Sequence, residues 1–157
     1  MLIHELTPMQ CAEVLDRIHV GRLGCTKNGQ PYVVPVSFSF DRERGCVYSF
    51  STVGQKVLWM RENPLVCLEV DDIQDTNHWQ TVIIFGRYEE IQDSPEEAEA
   101  RQRAEALFQQ RVEWWLPAAG KVASHERHAV VVYRIHIDRI TGRRTARSPS
   151  SPMHRTS

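Results

Sequence analysis

Residues 49–56, Ser49-Phe50-Ser51-Thr52-Val53-Gly54-Gln55-Lys56, are the most informative stretch of this chain. An apolar strand ends there in small hydroxyl residues and a glycine, and a helical segment follows whose first turn carries a lysine. Hydroxyls and free backbone N–H groups at a helix start can face an anion, and the lysine adds a positive charge beside them. The stretch therefore predicts a site for a phosphorylated ligand at the rim of a β structure.

The sequence on either side of this stretch predicts a mainly β domain. Asn28-Gly29 supplies the turn chemistry of a hairpin, Asp71 to His78 is expected to be a polar connection, and Gly86 marks a bend in a long strand. Six strands joined largely by hairpins favour a small antiparallel barrel with flanking helices. The strands are expected at roughly 22–26, 32–40, 46–51, 65–70, 79–91 and 129–141.

Three helices are expected beside the strands. The first begins at Thr7-Pro8-Met9-Gln10 with a capping box, and the second begins near Lys56 and ends at Asn63-Pro64. The third is expected to begin with Ser94 as its cap, with Glu97 completing another capping box. Its apolar stripe recurs at helical spacing and consists of Ala100, Ala104, Leu107, Phe108, Val112 and Trp115.

Length and composition predict one globular domain. The chain has 157 residues, of which 41% are hydrophobic and 25% charged, which is enough for a real core. Its longest apolar runs are too short to cross a bilayer, and its N-terminus shows no secretory signal. We therefore expect a cytoplasmic protein without membrane contacts. The domain is expected to cover residues 1–144, and the Arg-, Ser- and Pro-rich tail over 145–157 is expected to be disordered.

The charge balance and the cysteines argue against two further classes of function. A formal net charge of −1 gives no reason to expect nucleic-acid binding, and the arginines of the tail are more typical of a solvated segment. Cys11, Cys25, Cys46 and Cys67 are dispersed, with no Cys-x-x-Cys pair and no histidine at zinc-ligand spacing. We expect reduced thiols in the core and no metal site.

Several motifs occur in the order seen in one known family. They are Arg22-Leu23-Gly24, residues 31–38, Tyr48 to Lys56, Asn63-Pro64, Phe85-Gly86 and Ile140-Thr141-Gly142-Arg143. With these motifs the chain resembles the pyridoxamine-5′-phosphate oxidase-like flavin-binding proteins over nearly the whole domain, and most nearly the branch that includes the nitroimidazole-resistance proteins. The resemblance implies a six-stranded antiparallel split β-barrel that binds FMN at the interface of a homodimer.

The resemblance also implies which residues would hold the flavin. The FMN phosphate would be held by Lys56, Ser51 and Thr52. The isoalloxazine ring and the ribityl chain would lie along Val34, Pro35, Val36, Ser49 and Phe50. The residues that approach the flavin from the partner subunit would be Trp79, Thr81 and Val82.

One position departs from the nitroimidazole-resistance branch. That branch carries a histidine near the flavin, just after the strand-three tyrosine region, and this chain has Phe50 there. A phenylalanine can stack on a ring but cannot relay a proton, which counts against nitroimidazole reduction. The arginine and histidine pattern of a true pyridoxamine-phosphate oxidase is absent near the end of the chain, which counts against vitamin B6 oxidation.

Two functions remain open at this point. In the first, bound FMN accepts a hydride from NADH or NADPH and passes electrons to an unknown small acceptor. In the second, the protein binds a flavin or haem without turnover, for storage or sensing. No side chain stands out as an acid or base, so the catalytic residues are unassigned. Without the resemblance, Lys56 is equally well a solvated helix lysine, and Ser51 and Thr52 equally well an ordinary helix cap.

Overall fold

The computed structural model describes residues 2–110 and 130–146. This described part of the chain forms eight strands and three helices, with a short 3₁₀ turn at Pro95–Glu97. In chain order they are β1 (Leu2–Glu5), α1 (Pro8–Arg17), β2 (Val20–Lys27), β3 (Gln30–Ser37), β4 (Ser39–Asp41), β5 (Cys46–Thr52), α2 (Gln55–Glu62), β6 (Leu65–Asp75), β7 (His78–Glu90), α3 (Ala98–Gln109) and β8 (Val130–Ala146).

All the strands belong to one antiparallel sheet, which confirms the predicted mainly β architecture. The strand order is β3-β2-β6-β7-β8-β5-β4, and β1 pairs with β8. The sheet has more strands than predicted because β1 adds a short N-terminal strand and the predicted second strand divides into β3 and β4. The division falls at Phe38, whose N–H donates to the carbonyl of His19 at 3.0 Å. The predicted hairpin between β2 and β3 is confirmed, with Asn28 and Gly29 both at positive φ.

Two predicted boundaries in the second half of the chain were wrong. The connection expected at Asp71 to His78 is mostly strand, because β6 continues to Asp75 and pairs with β7 across a tight turn. Two of the acidic residues there form ion pairs: an Asp71 carboxylate oxygen lies 3.0 Å from the Arg22 guanidinium, and an Asp72 carboxylate oxygen lies 3.3 Å from that of Arg17 in α1. Gly142 does not end the last strand, since β8 continues to Ala146 with β1 as a neighbour. Residues 147–157 of the predicted tail lie outside the described residues.

Gly142 is required for packing. A Cβ at this position would lie 2.7 Å from the Cys11 Sγ atom and 2.9 Å from a methyl carbon of Leu6. Those distances are shorter than ordinary van der Waals contact. The missing side chain therefore lets the start of α1 pack directly on β8.

The two capping predictions had different outcomes. The capping box of α1 is confirmed, because the Thr7 Oγ1 atom accepts from the Gln10 N–H and the Gln10 side chain accepts from the Thr7 N–H. The box predicted at Ser94 was wrong, since no side-chain cap bond forms there and a 3₁₀ turn precedes α3. The Glu97 carboxylate instead accepts from the backbone N–H of Gln92. The backbone N–H of Gln92 therefore occupies the Glu97 carboxylate that the capping box would need.

Two apolar clusters lie on opposite sides of β5 because side chains alternate along a strand. Val47 faces the barrel interior, whereas Cys46, Tyr48 and Phe50 face α3. The predicted stripe of α3 is confirmed at Ala100, Ala104, Leu107 and Phe108, which all pack in the α3 cluster. Val112 and Trp115 lie outside the described residues. The strand β5 therefore separates the barrel core from the helix that packs on it.

The predicted bend at Gly86 is confirmed. The register between β7 and β8 shifts between Phe85 and Gly86. A Cβ at Gly86 would lie 2.1 Å from the backbone oxygen of His136, so the two strands approach each other too closely for any side chain there. The long strand β7 therefore bends where glycine permits the closest backbone contact.

The cysteines agree with the reduced thiols that the sequence analysis expects. All four cysteines are free thiols, and three of them are buried. No group of three or more His, Cys, Asp or Glu side chains within residues 2–110 and 130–146 has the geometry to hold a metal ion. None of the described helices is long and apolar enough to cross a membrane.

Candidate functional site

The barrel is open along a seam between β3 and β5. The strand β3 is an end strand of the sheet and has a ladder partner only in β2. Across the seam, the Ser49 hydroxyl donates to the carbonyl of Ser37 at 2.7 Å, and Ser49 is almost fully buried. A side chain therefore holds together two strands that share no ladder. A strand edge without a ladder partner offers backbone groups to a ligand.

The N-terminus of α2 follows the end of β5 closely in the chain, with only Val53 and Gly54 between the two elements. Gly54 is the N-cap residue, and no side chain caps the helix. The first backbone bond within the helix runs from the Leu58 N–H to the Gly54 carbonyl at 3.1 Å. The N–H groups of the first turn have no acceptor within a helix, and the positive end of the helix dipole lies beside them. This arrangement suits an anion.

The hydroxyls of Ser51 and Thr52 do not cap α2. The Ser51 Oγ atom donates to the carbonyl of Thr52 at 2.8 Å, and Thr52 is exposed. The alternative of an ordinary helix cap was therefore wrong. Both hydroxyl oxygens still have lone pairs, and the Thr52 hydroxyl also has a proton that it can donate.

Lys56 lies in the first turn of α2 and is half-buried. Burial lowers the pKa of its ammonium group, and the nearby Cys25 thiol acts in the opposite direction. Within residues 2–110 and 130–146, Lys56 forms no ion pair and no hydrogen bond, whereas Lys27 lies 2.8 Å from a Glu62 carboxylate oxygen. Lys56 is thus partly withdrawn from solvent, and the alternatives of a phosphate contact and a solvated helix lysine both remain predictions. A partly buried cation without a counter-charge is costly, and a bound anion would offset that cost.

The three candidate residues of β3 point to opposite sides of the strand. Val36 is buried in the barrel core, and Val34 packs against the same core. Pro35 is exposed. A ligand in the seam would therefore meet the ring of Pro35 and the free backbone edge of β3 rather than the two valine side chains.

Phe50 lies on the α3 side of β5. Its ring packs edge-on against Phe108, with 4.5 Å between ring centroids. Ser49 and Ser51 point to the other side of the strand because of the alternation of side chains. The structure therefore does not bring the Phe50 ring together with the hydroxyls of the seam.

The three β7 candidates lie away from the seam of their own protomer. Trp79 and Thr81 lie on the outer face of the sheet, and the Thr81 hydroxyl donates to Glu69 at 2.8 Å. Val82 points to the other side and is fully buried in the barrel core. In the sheet, β8 separates β7 from β5, and β6 and β2 separate it from β3. Trp79 and Thr81 could meet a ligand held by Lys56 only if a second protomer supplied them.

Sequence reasoning missed the contacts that hold α2 in place. The Asn63 amide donates to the Thr26 hydroxyl at 2.9 Å and accepts from the Leu65 N–H at 3.2 Å. The Pro64 carbonyl accepts from the Tyr88 N–H at 2.8 Å. The pair Asn63-Pro64 was interpreted only as the end of a helix. An asparagine directly after a helix was the signal available, because its amide can bond to nearby backbone and side chains.

Comparisons with known proteins place the chain in a family. It matches the pyridoxamine 5′-phosphate oxidase family over residues 7–144. An uncharacterized protein of Rhizobium meliloti is 30% identical over 146 residues, which is 91% of this chain and 95% of that protein. A crystal structure of a FAD-binding protein from Mesorhizobium loti is 34% identical and has a TM-score of 0.77, covering 94% of this chain and 99% of that chain.

A more distant structure shares the fold. A protein of Bacteroides thetaiotaomicron assigned to 5-nitroimidazole antibiotic resistance is 17% identical and has a TM-score of 0.65. The match covers 91% of this chain and 89% of that chain. The family match runs from the N-cap of α1 into β8 and therefore includes every described strand of the sheet except β1. The chain therefore belongs to the pyridoxamine 5′-phosphate oxidase family, and its antiparallel sheet has that family's split-barrel fold.

Proposed function

We propose that this chain is a flavoprotein that binds FMN in the seam between β3 and β5. The observation that carries the proposal is Lys56, a half-buried cation that has no anionic partner among the described residues and lies at the uncapped start of α2. A phosphate monoester is an anion of the right chemistry for this position. The ammonium group, the Thr52 hydroxyl and the first-turn N–H groups would donate to it, and the Ser51 hydroxyl would do so by releasing the Thr52 carbonyl.

FMN is proposed in preference to FAD because the seam offers one free lysine for one phosphate group. The similar protein from Mesorhizobium loti is FAD-binding, and FAD has the same ring and ribityl chain with a second phosphate and an adenosine. In either case Pro35 and the backbone edge of β3 would lie beside the ring system. Affinities for the two flavins measured side by side distinguish them.

A homodimer is proposed through the outer face of β3, β2, β6 and β7. One row of paired positions crosses this face, formed by Val33, Gly24, Cys67 and Phe85. Val33 is 64% exposed, Leu65 beside the row is 64% exposed, and Phe85 is 37% exposed. These side chains line a shallow cavity of about 450 Å³. They belong to neither apolar cluster of the described residues, and a contiguous apolar patch of this kind marks an interface.

The dimer would also bring the β7 candidates of one protomer close to the phosphate-binding candidates of the other. Trp79 and Thr81 lie on the same outer face as the row, whereas Lys56 lies at the seam. In a two-fold symmetric pair, the same surface of each protomer contacts the other. We propose that the partner subunit therefore supplies Trp79 and Thr81 to the flavin, as the family resemblance implies.

The proposed activity is hydride transfer between NADH or NADPH and a small acceptor. Bound FMN supplies the chemistry of accepting and releasing a hydride, and the protein supplies orientation and exclusion of water. The described side chains at the seam are a lysine, serines, a threonine and apolar groups, and apart from Lys56, which would hold the phosphate, none of them is an ionisable acid or base. This set is compatible with direct transfer from a nicotinamide donor, which requires no protein acid or base.

A second candidate is flavin or haem binding without turnover. The absence of a further acid or base beside Lys56 among the described seam residues favours flavin binding without turnover, because such a module needs only the phosphate contacts and a flat surface. The two functions differ in a property that is simple to measure, namely whether a nicotinamide donor reduces the bound flavin at a useful rate.

The test uses the full chain, first freed of any bound cofactor. Apoprotein is titrated with FMN, FAD, riboflavin and haem, each followed by its visible absorption. FMN is expected to bind more tightly than riboflavin. Equal affinities for FMN and riboflavin would overturn the phosphate site. The holoprotein is then mixed with NADH or NADPH without oxygen. Bleaching of the flavin band within catalytic times supports the oxidoreductase, and an unchanged band supports the binding module.

A further inference from the structure

The connection between α2 and β6 holds the proposed phosphate-binding lysine in position. This connection consists of Asn63 and Pro64, and both residues bond to strands that are not their chain neighbours. Asn63 donates to Thr26 of β2 at 2.9 Å, and Pro64 accepts from Tyr88 of β7 at 2.8 Å. The C-terminal end of α2 is thus fixed to two strands of the barrel.

The rest of α2 has few directional contacts. Its N-terminus has no side-chain cap. The ion pairs from Glu62 to Lys27 and from Arg61 to Glu90 lie at the surface, where such pairs contribute little. Val57 and Met60 are buried, but apolar packing alone is non-directional. The partly buried bond from Asn63 is therefore a main determinant of where the helix lies along β2.

A helix transmits this position to Lys56 because it is rigid over a short distance. Lys56 precedes Asn63 by two turns, which is about 10 Å along the axis. The charge of Lys56 acts on the thiol of Cys25, the residue before Thr26 in β2. The lysine and the asparagine thus belong to one unit, formed by α2 and the last residues of β2.

We propose that Asn63 and Thr26 form a positioning pair. Their bond sets the position of α2 along its own axis, and with it the position of the Lys56 ammonium group at the seam. Neither residue contacts the phosphate. Their bond fixes the axial position of α2, and that position decides whether the ammonium group reaches a phosphate held by Ser51 and Thr52. The proposal rests on the proposed FMN site for its effect on binding, but the position of Lys56 can be measured without any ligand.

The experiment compares variants that remove or retain the bond. Thr26→Val keeps the shape and removes the hydroxyl, whereas Thr26→Ser keeps the hydroxyl. Asn63→Ala removes the other partner, and Glu62→Gln is the control that breaks only an exposed ion pair of the same helix. FMN and riboflavin affinities are measured for each variant at physiological ionic strength, together with the melting temperature.

The expected result is selective for the phosphorylated ligand. Thr26→Val and Asn63→Ala are expected to weaken FMN binding roughly three- to tenfold, the effect of a net hydrogen bond, with riboflavin binding unchanged. The double variant is expected to lose no more than Asn63→Ala alone, because Thr26→Val removes only a bond that Asn63→Ala already breaks, whereas Asn63→Ala also removes the acceptor of the Leu65 N–H. Thr26→Ser and Glu62→Gln are expected to bind like the parent chain. Equal losses for both ligands, or a lower melting temperature with an unchanged FMN to riboflavin ratio, overturn the positioning role.

A ligand-free measurement separates this inference from the proposed function. The rate at which an amine-specific reagent modifies Lys56 is followed by peptide mass spectrometry in apoprotein. Thr26→Val and Asn63→Ala are expected to raise that rate several-fold, because the half-buried ammonium group becomes more accessible, while Glu62→Gln leaves the rate unchanged. An unchanged rate overturns the inference even if FMN binds as proposed. A raised rate in a chain that does not discriminate FMN from riboflavin supports the positioning pair and rejects the phosphate site.

Discussion

Replacing Lys56 by methionine tests the charge at the proposed phosphate site. Methionine keeps a long, flexible apolar side chain at a half-buried position and removes the ammonium group. If that group contacts the FMN phosphate, its loss removes a hydrogen bond between charged groups, which contributes about 1.5–3 kcal/mol. At about 1.4 kcal/mol per factor of ten, FMN should bind roughly ten- to 150-fold more weakly.

The structure also predicts the effect on folding. Burial lowers the pKa of Lys56, which means that the folded protein disfavours the charged form. Removing the charge should therefore leave the melting temperature unchanged or raise it. A loss of FMN affinity in a protein that is no less stable cannot come from damage to the fold. Lys27→Met is the matched control, because Lys27 is also partly buried but lies on β2 and pairs with Glu62 of α2.

Titrations of flavin fluorescence with FMN and with riboflavin provide the assay. Riboflavin has the same ring and ribityl chain without the phosphate, so its affinity should be the same in the parent chain and in Lys56→Met. Equal losses for the two ligands, or no loss for FMN, would refute the assignment of Lys56. A loss of similar size in Lys27→Met would show that the effect comes from general electrostatics rather than from contact.

Three further predictions concern pH, assembly and stability. FMN affinity should fall as the pH rises through the pKa of Lys56, beginning at lower pH than for an exposed lysine because burial lowers that pKa, whereas riboflavin affinity measured in the same buffers should stay flat. Leu65→Asp should give a monomer by light scattering, because Leu65 lies beside the proposed interface. Leu58→Asp, at an exposed leucine of α2, should remain a dimer. A dimer in both variants would reject that face as the interface. Gly86→Ala should lower the free energy of unfolding by about 1–3 kcal/mol or prevent folding, since its Cβ would lie 2.1 Å from a backbone oxygen, and a urea midpoint equal to that of the parent chain would contradict this.

An additional prediction concerns the buried carboxylate Asp41. Burial alone raises its pKa, but hydrogen bonds from Arg103 and from the Arg44 backbone outweigh burial and lower it. A carboxylate with a depressed pKa stabilises the fold above its unfolded pKa of about 3.9, and that contribution is lost as the pH falls through the folded value. Asp41→Asn should therefore have a lower melting temperature at neutral pH, and its melting temperature should fall less on acidification than that of the parent chain. Thermal melts between about pH 3 and 7, which bracket the carboxylate range, measure both effects.

The sequence by itself determined the elements whose causes are local. A capping box at Thr7, a hairpin turn at Asn28-Gly29 and a proline after Asn63 act within a few residues, so their effects could be predicted without the fold. Alternation and helical spacing indicated strands and the apolar stripe of α3 in the same way. The phosphate-binding hypothesis for residues 51–56 was also local, because a strand end, a glycine and a lysine lie consecutively in the chain.

Only the tertiary structure decided how these elements meet. The burial of Lys56 and its lack of an ion pair among the described residues depend on β2 packing against α2, which no spacing in the sequence reveals. The Ser49 to Ser37 bond, the separation of Phe50 from the seam and the outward direction of Trp79 follow from the strand order and from which side of the sheet each residue occupies. The capping box expected at Ser94 did not form, because the Glu97 carboxylate accepts from the backbone N–H of Gln92 instead. The Ser49 to Ser37 bond and the directions of Phe50 and Trp79 depend on contacts between residues far apart in sequence.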